Sequence, residues 1–117
     1  MTKVKLRIAI AGALLFADVS QALADECSNM RAQITQIQSD ATLATTEQNR
    51  VAAITPLPPT DGALCAAESK LIRDAQAILG EPISDCYDAQ NTATVNDAIN
   101  QMYQGANEVA GQMHCAR

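Results

Sequence analysis

This chain has no tryptophan, one phenylalanine and two tyrosines among its 117 residues. A core made from it therefore cannot rest on large rings, which each bury about 150–250 Å2. It has a single histidine, so a metal centre built on several imidazoles is excluded. Basic side chains number eight against thirteen acidic ones, a formal net charge of −5. That balance argues against nucleic-acid binding, which needs a basic face to displace counterions, and against a polybasic membrane surface. No apolar run approaches the roughly 18 residues of a permanent membrane span. There is no CxxC pair, no CxxCH haem attachment and no Gly-x-Ser-x-Gly elbow.

What is present begins with an export pattern. Lys3, Lys5 and Arg7 give a positive start, and Ile8 to Ala17 is an unbroken apolar run of ten residues. Ala22-Leu23-Ala24 offers small side chains for cleavage before Asp25. Residues 1–24 are thus expected to be a cleavable signal peptide, and 25–117 a single domain. Three of the eight basic and one of the thirteen acidic side chains leave with it, so the remainder has five against twelve, a charge of −7. Glu26 directly before Cys27 speaks against a lipid anchor there.

Beyond the cleavage point the apolar spacing is helical. Cys27, Met30, Ile34, Ile37, Ala41, Ala44 and Val51 form a heptad-type stripe, with Gln48 in the skipped place. Arg31, Gln33, Gln36, Asp40 and Glu47 fall off it. Thr55-Pro56 stops this helix, because the residue before proline avoids helical angles, and Pro56-Leu57-Pro58-Pro59 makes a stiff connector. Thr60 or Asp61 can cap a second helix striped by Leu64, Ala67, Leu71, Ala75 and Ile78, with Gly80 as its C′ residue and Pro82 beyond. Ser84 can cap a short piece holding Cys86 and Tyr87. Thr94 and Asp97 resemble a capping box ahead of a third stripe: Val95, Ile99, Met102, Ala106, Val109 and Met113. The expected fold is all-α, a small antiparallel bundle of helices at 26–53, 61–79 and 94–115 with a short helical piece near 84–90.

Cys27, Cys65, Cys86 and Cys115 form an even set with 37, 20 and 28 residues between them. Export would take them to an oxidising compartment, where disulfides are expected rather than a metal site. In a down–up–down bundle, Cys27 and Cys86 lie at one end, Cys65 and Cys115 at the other. Pairing Cys65 with Cys86 would span about 20 Å of the second helix, beyond the roughly 7 Å a disulfide allows between Cα atoms. The expected bridges are Cys27–Cys86 and Cys65–Cys115.

No catalytic, cofactor or metal residues are assigned. His114 is expected to act as a cation at a helix C-terminus, and Asp85 and Asp88 as charge at a helix start. The many Gln and Asn side chains, among them Gln33, Gln36, Gln38, Gln48, Asn100 and Gln104, read mostly as a solvated face, with Leu57 or Tyr103 as an exposed edge. The functional expectation is an exported non-enzymatic binding module acting on another envelope or secreted protein, in the manner of an inhibitor, immunity factor or chaperone. A haem carrier using Met30 and His114 is the alternative, weakened because the topology sets these residues at opposite ends. A small secreted hydrolase ranks last.

Overall fold

The computed structural model describes residues 25–116, with side chains from Cys27 onward. The expected signal segment 1–24 lies outside them. Helix α1 runs Asp25–Ala52, α2 Gly62–Leu79 and α3 Ala89–Gln112, with a 3-10 turn at Ile83–Asp85. Among the described residues there is no strand, and no helix is long and apolar enough to cross a membrane.

The second and third helices each begin where a side chain takes up their free N–H groups. Asp61 caps α2, its Oδ1 accepting from Leu64 N at 3.0 Å; Thr60 does not. Asp88 caps α3, accepting from Asn91 N at 2.8 Å and from Asn91 Nδ2 at 3.2 Å. This corrects the expected start of the last helix from 94 to 89. Thr94 is not a cap but an interior residue, its hydroxyl donating to Gln90 O one turn back. Ser84 likewise lies inside the 3-10 turn, which Pro82 precedes.

The helix ends differ from one another. α1 stops at Ala52, and Ile54 N donates to Val51 O just ahead of the cis Thr55–Pro56 peptide. Gly80 follows α2 with φ −86°, so the right-handed conformation holds there and its glycine is not needed for a left-handed turn. The left-handed residue is instead His114, φ 55°. Cys115 N donates to Ala110 O and His114 N to Gly111 O, so α3 ends in a Schellman motif with His114 at C′.

Packing follows the stripes. α2 lies close along both α1 and α3, whereas α1 and α3 approach one another closely at few positions. Alanines at Ala41, Ala44, Ala67, Ala75, Ala98 and Ala106 are all buried, and they let the axes come near. A long apolar cluster fills the bundle from Cys27 and Cys86 through Ile37, Leu71 and Ile99 to Ala44 and Ala106. A second, small one of Val51, Leu64, Val109 and Met113 fills the other end. The result measures 49 × 22 × 17 Å.

A disulfide closes each end. Cys27 pairs with Cys86 and Cys65 with Cys115, both with Cα atoms 5.4 Å apart, as the helix polarity requires. Such bonds belong to chains that mature in an oxidising compartment. They close loops of 59 and 50 residues. In the chain-entropy account each is worth about 4 kcal/mol, comparable with the whole net stability of a small domain.

Candidate functional site

Among the described residues three polar side chains are buried in an otherwise apolar interior: Asp40 (2% exposed), Gln48 (1%) and Glu68 (0%). All lie on the faces where α1 and α2 meet. Burying a carboxyl costs several kcal/mol unless partners replace its water, so this seam is where the chain departs from simple packing.

Asp40 has such partners. Lys70 Nζ donates to its Oδ1 at 2.9 Å and Gln36 Nε2 to the same atom at 2.9 Å, while Oδ2 accepts no bond. Lys70 also reaches Asp74 Oδ2 at 3.0 Å, so one ammonium holds two acids. Burial pushes the Asp40 carboxyl above its ordinary range and Asp74 adds to the rise, against Lys70 and Gln36. Asp74 is held low first by the neighbouring Asp40 carboxyl, which takes up a proton more readily, and then by the Lys70 ammonium. The two carboxylates in turn raise Lys70. A shallow cleft of about 100 Å3 lies nearby, lined by Gln33, Gln36, Asp74 and Ala77. That is well below the roughly 300 Å3 at which small-molecule sites begin.

Two turns further along α1, Gln48 Nε2 donates to Glu68 Oε2 at 2.8 Å. No cation among the described residues accompanies this pair. Burial raises the Glu68 carboxyl to about 7, the amide bond lowering it only in part.

The residues singled out from the sequence are placed as follows. Asp40, expected off the buried stripe, is on it, because a lysine from the neighbouring helix compensates its charge. Gln48 takes the stripe position the spacing left for it and is not part of the solvated face. Leu57 is exposed, but Tyr103 packs half-buried against the core. Tyr87 is buried, its hydroxyl raised by burial.

Met30 is buried one turn from Cys27, whereas His114 is exposed beside Cys115. Val51, near the end of α1, packs with Met113. The distance from Met30 to that level is about 30 Å along the helix, so one iron cannot take both as ligands. No cluster of three or more His, Cys, Asp or Glu that could hold a metal occurs among the described residues.

Glu68 was missed. Its signal was its place four residues after Leu64 and three before Leu71, within the stripe.

Comparison with protein-family models, curated proteins and solved structures finds no match for this chain.

Proposed function

We propose that this chain is exported, loses residues 1–24, and works as a non-enzymatic helical module that binds another envelope or secreted protein. The observation that carries the reading is the outer face of α1. Between Arg31 and Glu47 its one charged residue is Asp40, which is buried. What remains outside is Gln33, Thr35, Gln36, Ser39, Thr42 and Thr46, around Leu43, which is 48% exposed. Cores of protein interfaces are depleted of charge in this way. At the far end Ile54 and Leu57 add exposed apolar surface on a proline-rich connector. A disulfide-closed scaffold suits such a role, since a face already held in shape loses little freedom on binding.

The test uses the oxidised protein as bait on the envelope and secreted fractions of its own cell. A partner retained by the wild type and lost with Leu43→Glu, whose helical spectrum stays the same, supports the reading. Retention indifferent to Leu43→Glu removes the α1 face from the account, and no retained partner removes the module. Mass analysis of the exported chain, expected to begin at Asp25, tests the processing step separately.

A further inference from the structure

Gln48 and Glu68 leave an imbalance between donors and acceptors. Gln48 Oε1 and Glu68 Oε1 are both buried and neither takes part in a hydrogen bond. An ionised carboxylate and an amide oxygen can only accept, so with Glu68 charged the pair has two idle acceptors and nothing to place between them. Buried groups left in that state are rare in folded proteins. One proton on Glu68 Oε1 converts one idle acceptor into a donor for the other. A neutral acid and a primary amide can join through two bonds, here N–H to Oε2 and O–H to Oε1.

The charges around the pair offer no other remedy. On α1, Glu47 and Arg50 pair at 2.8 Å, Arg50 also holds Asp61, and Asp40 is engaged by Lys70. On α2, Lys70 and Arg73 both lie against Asp74. On α3, Asp97 and Glu108 are exposed, as is His114 after it. Burial and the Gln48 bond alone govern the Glu68 carboxyl.

We propose that Glu68 is a proton-binding residue, and that the proton it holds closes an acid–amide latch with Gln48 which opens as the surroundings turn alkaline. The latch sits where the long apolar cluster gives way to the small one of Val51, Leu64, Val109 and Met113. Opening it loosens the α1–α2 seam beside Ile54 and Leu57, and enlarges the apolar surface at that end. The elevated carboxyl, near 7, sets the change within the range an exported protein meets. The device is independent of what the protein binds.

Carbon-13 NMR of the oxidised protein tests it. The side-chain carboxyl carbon of Glu68 and the amide carbon of Gln48 are expected to titrate together near pH 7. Above that midpoint, amide exchange in 44–52 should exceed its intrinsic base-catalysed rise several-fold. In Glu68→Gln, which keeps the shape and can make both bonds without a proton, that excess should vanish while the helical spectrum persists. A Glu68 midpoint in the ordinary carboxylate range of about 4–5 overturns the proposal. So does a Gln48 signal that ignores the Glu68 transition, or an undiminished excess in Glu68→Gln.

Discussion

The Lys70 ammonium lies 2.9 Å from the Asp40 carboxylate, joining a half-exposed base on α2 to a buried acid on α1. Removing the acid and removing the base therefore have unequal consequences. Lys70→Met leaves the buried acid without its cation and is expected to be the more destabilising of the two. Asp40→Asn keeps the hydrogen-bonding shape without the charge and should cost less. Urea unfolding of the two variants at neutral pH gives the order, and equal losses would contradict it.

Acid should stabilise this protein before it destabilises it. Glu68 has a folded value of about 7 against an ordinary 4.5, so the unfolded chain ionises first. Stability is then greatest below the unfolded value, falls as pH rises between roughly 4.5 and 7, and levels off above. The full change is about 3 kcal/mol by linkage. The buried Asp40 contributes in the same direction at lower pH. Denaturant midpoints between pH 5 and 8 should decline in the wild type and stay flat in Glu68→Gln.

Reduction should unfold the bundle or bring it close to unfolding. A loss of about 4 kcal/mol for one bridge lowers the melting temperature of a domain this size by roughly 15 °C or more. Circular dichroism melts with and without reductant measure it, and coincident curves would count against a structural role for the bridges.

His114→Gly is expected to stabilise. A non-glycine residue with φ 55° gives up about 1 kcal/mol that glycine does not. A thermal melt that drops on this substitution would show that the imidazole does more than occupy the C′ position.

The start of α3 gives a paired comparison. Asp88→Ala should cost about 1 kcal/mol as a lost cap, while Thr94→Ala, inside the helix, should change stability by less than about 0.5 kcal/mol. Reversed magnitudes would move the helix start back to 94.

Much of the architecture was legible because apolar spacing and chain direction act together. Once Cys27 and Cys86 fall at one end of a down–up–down chain, sterics leave Cys65 and Cys115 to each other. The spacing also marked Gln48, which replaces an apolar residue at its step. Asp40 and Glu68 were hidden by their own chemistry. Asp40 stands three residues after Ile37 and four before Ala44, a buried address, but its charge argued for solvent. Only the neighbouring helix supplies Lys70, and no local pattern reveals a partner thirty residues away. The first turns of α3 were hidden for the opposite reason: Gln90 to Thr94 offer no apolar face, and the helix there depends on the Asp88 cap.

The two sulfur links overlap along the chain: the span from Cys27 to Cys86 and that from Cys65 to Cys115 share the stretch between Cys65 and Cys86. Cutting any one peptide bond between Cys27 and Cys115 therefore releases nothing, because a sulfur link still ties the two pieces together. A protease that nicks the exposed connector at Ile54–Pro59 would leave a molecule of nearly unchanged mass, its wound visible only on a reducing gel. This weave gives the protein a tolerance to proteolytic damage separate from its resistance to unfolding.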